Sequence, residues 1–470
     1  MLQRTALAIG LLVLAATATA GDWPFWMGPR GDGSGIDCGK PLVESMDDAV
    51  VLWKSEQKLP DGRAPDGSEK VQSSVSGGFA SPVLAGDRLY FFYYVPSGQV
   101  HDKALAARGY AYENGVTKDK WLIDADDIVI CIDARTGKTL WKTVFEQKGI
   151  NFGTFNKGGP MLTPAVADGK VYALGTMGRV YCLDAATGKP LWESNIGERF
   201  ERQVKLKQVA KEQKMLPQFN RDFAVTLTVA DGVVVCSDVL SYKVQTPVRE
   251  FFWSHQSGMV GLDGKTGQRL WALPATLGLF VSPVRWTHGG REYVIGINRG
   301  KATCADPKTG KVVWELEVGA NGETPAISGD YLLCNGAADG EGALTCYKLD
   351  PSGGKKLWAM PAGFGYPRST PVVYEGHVYA CGRSGKMACI EIATGKVVGA
   401  LGLNAGGASF AVAADRRLLV QADAAHGKAE VYYIKADPHD LRQLGDVWQA
   451  PAAPSYTTAA GRRPPLPACA

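Results

Sequence analysis

The stretch Cys182–Trp192 reads CLDAATGKPLW, and it recurs along the chain. Close copies are CIDARTGKTLW (Cys131–Trp141), GLDGKTGQRLW (Gly261–Trp271) and CADPKTGKVVW (Cys304–Trp314). A looser copy is KLDPSGGKKLW (Lys348–Trp358), and CIEIATGKVVG (Cys389–Gly399) has lost its tryptophan. Aspartate and tryptophan keep one spacing through Asp133 and Trp141, Asp184 and Trp192, Asp263 and Trp271, Asp306 and Trp314, and Asp350 and Trp358. From Asp263 onward the period lies in the low forties, the size of one four-stranded propeller blade.

Taken singly, the thiol, the carboxylate and the Thr-Gly-Lys resemble a reactive site. Their repetition argues for a turn. An aspartate opening a turn accepts hydrogen bonds from the N–H groups two and three residues on. Glycine supplies the left-handed backbone, and the lysine faces solvent. The tryptophan packs between neighbouring blades, where its burial contributes about 2–3 kcal/mol. A phosphate loop needs a glycine five residues before its Gly-Lys, and ahead of Gly137-Lys138 that position holds Ile132.

Two strand-like segments precede each copy, as in TPAVADGKVYALGTMGRVYCLD (Thr163–Asp184) and TPVVYEGHVYACGRSGKMACIE (Thr370–Glu391). Gly-containing turns between β-branched and aromatic runs mark hairpins. Seven units of strands A to D are expected, starting near Phe79, Met161, Phe223, Val281, Glu323, Ser369 and Ser409. VVLWKS (Val50–Ser55) reads as an unpaired D strand ahead of them, and APSYTTA (Ala453–Ala459) as an A-like fragment behind. Joining the two ends in one blade would remove exposed sheet edges. The expected fold is therefore an all-β propeller of eight-blade type across 50–460, with an incomplete last blade. Seven closed blades is the alternative. The Pro-rich segment 461–470 reads as a disordered tail.

Ahead of the repeats, residues 1–20 combine a basic start, an apolar run and an A-x-A site, the pattern of a signal peptide. The apolar run is too short for a membrane span. No cysteine follows it closely, so the expectation is an exported, periplasmic or secreted chain without a lipid anchor. Residues 21–49 form an N-terminal extension. Over 470 residues, 45% hydrophobic content with 21% charged is ample for a large core. The net charge of +4 is too small for a dedicated nucleic-acid binder.

The chain has ten cysteines. Cys131, Cys182, Cys304 and Cys389 sit at one repeat position in strand C, with Cys346 nearby, and read as buried small hydrophobes. If Met177-Gly178 and Ser384-Gly385 are two-residue turns, Cys182 faces Ala173 and Cys389 faces Ala380. The pairing of Cys38 and Cys469 stays open. The six histidines show no metal-ligand spacing, and no G-x-S-x-G elbow is present. DADD (Asp124–Asp127) reads as a solvated loop, with calcium binding the alternative. No catalytic or metal-ligating set is assigned.

The A-x-D-x-x-T-G-K-x-x-W signature resembles the tryptophan-docking repeat of pyrroloquinoline quinone (PQQ) propellers across Val50–Trp448. DWPFWMGPRGDG (Asp22–Gly33) resembles the opening of exported bacterial PQQ-repeat proteins. The family has two branches. Quinoprotein dehydrogenases imply PQQ against a vicinal disulfide, with a calcium ion held by carboxylate and amide ligands. BamB-like scaffolds of outer-membrane protein assembly imply the repeat without a cofactor. This chain contains no adjacent cysteines.

Propeller function gathers where loops converge on the channel mouth. The D-to-A connections supply Asn156, Lys157, Asn220, Arg221, Glu323, Tyr366 and Arg368 as a candidate ligand- or partner-facing set; ordinary solvated loops are the alternative. Two insertions stand out: His101–Trp121 inside the first unit, and Glu198–Leu216, which reads as a charged helix. The leading expectation is a non-catalytic scaffold binding a protein or envelope component, with no cofactor. The rivals are a PQQ-dependent oxidoreductase using calcium and a glycan-binding or glycan-cleaving propeller, the last requiring channel carboxylates about 5–10 Å apart.

Overall fold

A computed structural model gives the fold. It describes residues 21–35, 42–57, 80–102, 120–150, 162–176, 178–196, 216–219, 225–238, 241–245, 251–255, 257–278, 281–319, 324–335, 344–360, 370–382, 385–403, 408–423 and 429–449. Seven antiparallel blades follow one another at 83–150, 165–195, 228–273, 284–317, 326–359, 372–402 and 408–449. Each pairs its strands in the order A, B, C, D. In the seventh the D edge is broken into Arg442–Gln443 and Trp448–Gln449, both laid on strand C. The inner A strands of consecutive blades touch in chain order, so the blades radiate from a common hub. The fold is an all-β propeller.

The motif turns are built as their chemistry dictates. Asp133 Oδ1 accepts from Arg135 N at 2.9 Å, Thr136 N at 2.8 Å and Thr136 Oγ1 at 2.9 Å. Asp184, Asp263 and Asp306 repeat the pattern. These bonds hold the Asp133 carboxyl below its ordinary range, the Thr136 hydroxyl bond contributing most. The tryptophans then bind blade to blade. Trp141 donates its indole N–H to Ala185 O at 3.1 Å, Trp192 to Gly264 O at 3.1 Å, Trp271 to Pro307 O at 2.7 Å and Trp358 to Ile392 O at 2.8 Å. The Trp141 ring lies over Gly188, whose φ of 73° needs glycine and where an added Cβ would sit 2.5 Å from the indole. Trp314 packs against Trp286 but leaves its buried Nε1 without a partner.

The register corrects one expectation. Cys182 pairs with Tyr172, and Cys389 with Tyr379, one place from the alanines. The B–C loop of the second blade closes through Gly175 N to Arg179 O at 2.6 Å, leaving three residues in the turn. Across strand C the pairing Tyr172, Cys182, Trp192 puts a small residue between two large rings, whose centroids lie 5.9 Å apart. Tyr90, Cys131 and Trp141 repeat the row, also at 5.9 Å. The eight described cysteines are all buried and free.

The N-terminal extension enters the hub. In a short strand A, alternate residues turn their N–H and C=O away from strand B, toward the channel. Trp23 and Leu84 exchange main-chain bonds at 2.8 and 2.9 Å, and Val166 N reaches Pro24 O at 2.9 Å. Ile327 N binds Gly31 O at 3.2 Å, Val373 N binds Asp32 O at 2.9 Å, and Ala413 N binds Gly33 O at 2.9 Å. Arg285 adds a side-chain bond from Nη2 to Pro29 O at 2.9 Å. Residues 23–33 thus bond to the inner strands of the first, second, fourth, fifth, sixth and seventh blades.

A second part of the extension links the last blade to the first. Met46 N donates to Leu444 O at 3.0 Å, Tyr433 Oη to Val43 O at 2.7 Å, and Arg417 pairs with Glu44 at 2.8 Å. Further on, Trp53 binds the turn of the first blade. Val50–Ser55, expected as a D strand, carries that docking tryptophan but has no ladder pairing among the described residues.

Candidate functional site: the loop face of the propeller

Four antiparallel strands alternate in direction, so the A–B and C–D turns share one face of the propeller. The B–C and D–A connections share the other. The first face carries the repeated Asp-x-x-Thr-Gly-Lys turns. The second, the loop face, carries the irregular sequence. Asn156, Lys157, Asn220, Arg221, Glu323, Tyr366 and Arg368 lie outside the described residues.

Two structured additions rise on this face. In the first blade, strands B and C run on to Asp102 and from Lys120, paired as far as Asp102 with Lys120. Residues 103–119 of that insertion lie outside the described set. In the third blade the B–C connection forms Ser241–Gln245 and Phe251–His255, which pair antiparallel. Leu216–Phe219, from the D–A connection just before, adds to the other side of Ser241–Gln245. Residues 217–219, expected as loop, are therefore strand. Of the helix expected over Glu198–Leu216, Leu216 is strand instead and the rest lies outside the described residues.

Hydroxyls link several neighbouring blades where the A strands begin. Ser81 N donates to Thr163 Oγ1 at 2.9 Å, Thr226 N to Ser282 Oγ at 2.9 Å, and Ser282 N to Thr324 Oγ1 at 2.8 Å. Each bond joins one blade to the next. These hydroxyls are held as acceptors between blades, which suits a structural link better than nucleophilic chemistry. Its signal was present in the repeated Ser-Pro and Thr-Pro of residues 81–82, 163–164, 282–283, 324–325 and 370–371.

The DADD acids are also corrected: they lie in strand C of the first blade. Asp126 Oδ1 accepts from Gln147 N at 2.8 Å. Asp127 is fully buried against the second blade, where it accepts from Thr176 Oγ1 at 2.8 Å and Tyr181 Oη at 3.0 Å. Burial dominates, raising its carboxyl to about 6 despite those bonds. Phe145 stacks on Tyr181 with centroids 3.8 Å apart. The carboxylate's lone pairs are taken up by protein donors.

No group of three or more His, Cys, Asp or Glu side chains with metal-holding geometry occurs among the described residues. The chain has no adjacent cysteines, and the inner-strand edges are bonded to residues 23–33. No helix among them is long and apolar enough to cross a membrane.

A family model described as outer membrane protein assembly factor BamB matches residues 125–334 and 341–469. The outer membrane protein assembly factor BamB of Yersinia pestis is 23% identical over 326 residues, covering 64% of this chain and 78% of that protein. Its namesake from Shewanella oneidensis is 22% identical over 255 residues, and the match spans 55% of that relative. Among solved structures, BamB from Moraxella catarrhalis aligns over 74% of this chain and 94% of its own, at 14% identity and a TM-score of 0.42. A europium-containing methanol dehydrogenase aligns over 86% and 90%, at 15% identity and a TM-score of 0.47. With the family model matching well over half its length, this chain of tryptophan-docked repeats belongs to the PQQ-repeat family of the outer membrane protein assembly factor BamB.

Proposed function

We propose that the protein is a non-catalytic, exported scaffold that binds a protein component of the cell envelope through its loop face. What carries the reading is the unequal treatment of the two faces. The turn face repeats one turn from blade to blade, whereas the loop face bears an extended hairpin and an added three-stranded sheet. Additions of that kind are unnecessary for closing a propeller and supply the surface on which loop-borne function resides. The family's description, outer membrane protein assembly factor, supports a protein partner in the envelope. The reading requires neither PQQ nor metal.

Photocrosslinking tests it. Crosslinker amino acids at Asn156, Lys157, Asn220, Arg221, Glu323, Tyr366 and Arg368 are compared with ones at Lys138, Lys189 and Lys311 on the turn face. Adducts to one envelope protein, confined to the loop-face positions, are expected. Dye-linked turnover on reconstitution with PQQ and calcium would sink the scaffold reading in favour of the oxidoreductase.

A further inference from the structure

We propose that the channel-facing edges of the inner strands form a peptide-binding groove that the chain's own residues 22–35 fill as a ligand. The proposal is independent of what binds the loop face. Three observations support it. The contacts are those of strand addition: an antiparallel bridge at Trp23 and Leu84 opens the segment and a parallel bridge at Ser34 and Ala413 closes it. Between them, main-chain donors from the second, fifth and sixth blades meet carbonyls of the segment at 2.9–3.2 Å.

The groove also selects side chains. Arg285 lies over the Phe25 ring, 4.7 Å from its centroid, while donating to Pro29 O. Gly33 has a φ of 75°, and a Cβ there would fall 2.8 Å from Val372 Cγ2; at Gly31 it would fall 3.2 Å from Ile327 Cγ2. Between those glycines, buried Asp32 accepts from Ser34 N at 3.0 Å and from Ser328 Oγ at 2.9 Å. Asp22 Oδ1 accepts from Gly86 N at 2.8 Å at the other end. The pattern Asp-Trp-Pro-Phe followed by Gly-x-x-Gly-Asp-Gly-Ser is thus read at both ends and in the middle. These contacts come from residues distant in sequence, so a covalent tether is unnecessary to explain them.

The test begins with the full chain, folded and then cut. A protease site replaces residues 36–41, and the purified protein is nicked there and examined by native mass spectrometry. The N-terminal fragment is expected to stay bound. Incubation a few degrees below the unfolding midpoint, with a hundredfold excess of a fluorescent peptide of residues 21–35, is expected to replace it. Peptides carrying Gly33→Val or Asp32→Ala are expected to replace it at least tenfold less well. Release of the fragment on nicking would overturn the proposal, as would equal uptake of the variant peptides. A fragment that stays but never exchanges would show a trapped chain end and overturn it equally.

Discussion

Trp53 donates its indole N–H to the carbonyl of Ala134 at 2.8 Å, the bond that Trp141 makes to Ala185 and Trp192 to Gly264. Its ring lies over Gly137 as those of Trp141 and Trp192 lie over Gly188 and Gly267. A residue of the Val50–Ser55 segment thus serves the first blade as the preceding blade's tryptophan would. The three residues before it, Val50, Val51 and Leu52, are 76%, 69% and 83% exposed.

Trp53→Ala is therefore expected to cost about 2 kcal/mol, close to the effect of Trp141→Ala, because each removes one docked indole. Urea unfolding of the two variants measures it. An unchanged midpoint for Trp53→Ala alone would mean that this segment lies on the ring without bracing it.

Trp271 and Trp314 separate the indole bond from the packing. Both are buried, but Trp271 Nε1 binds Pro307 O at 2.7 Å and Trp314 Nε1 has no partner. Trp271→Phe is expected to lose about 1 kcal/mol more than Trp314→Phe, the net worth of one hydrogen bond. Equal losses in thermal unfolding would show that the bond adds nothing to the packing.

Cys182 fills the space between Tyr172 and Trp192, and burial pushes its thiol up to about 12. Burial likewise raises the thiols of Cys131 and Cys389 to about 11. The eight described cysteines are expected to resist alkylation at pH 8 in the folded protein and to react in denaturant, with the positions read by peptide mapping. Cys182→Leu is expected to destabilise by about 1–3 kcal/mol by forcing the flanking rings apart. A stable Cys182→Leu variant would show that the row tolerates bulk.

Periodicity made the blades legible. Asp133 and Trp141 recur with their spacing intact because each turn and each docking slot solves the same local problem. The register at Cys182 was not legible, since it depends on a three-residue turn whose Thr176 is held by Asp127 in a different blade. Asp127 itself looked like a loop acid, because nothing local in DADD reveals that the second blade buries it. The extension was legible as a motif, but its path depends on free strand edges supplied by six blades. The candidate residues, such as Asn220 and Arg368, lie where repeats differ, and there periodicity gives no structural information.

Asp127 yields a pH dependence with a definite sign. Its folded-state carboxyl titrates near 6 against an ordinary 3.8, so the folded protein holds the proton more tightly than the unfolded chain. A raised carboxyl contributes stability below the unfolded value, and that contribution is lost as pH rises through the folded one. Between about pH 4 and pH 6 this group should remove about 3 kcal/mol. The turn aspartates, such as Asp184, are lowered and act in the opposite direction, losing their contribution as pH falls. The comparison must therefore be made against Asp127→Asn, which keeps one acceptor oxygen where the carboxylate offers Thr176 and Tyr181 two, and cannot ionise. Relative to wild type, Asp127→Asn is expected to gain stability from about pH 4 to about pH 6 and to level off above that. Urea midpoints across that range measure the gain, and parallel curves for the two proteins would show that Asp127 does not titrate there.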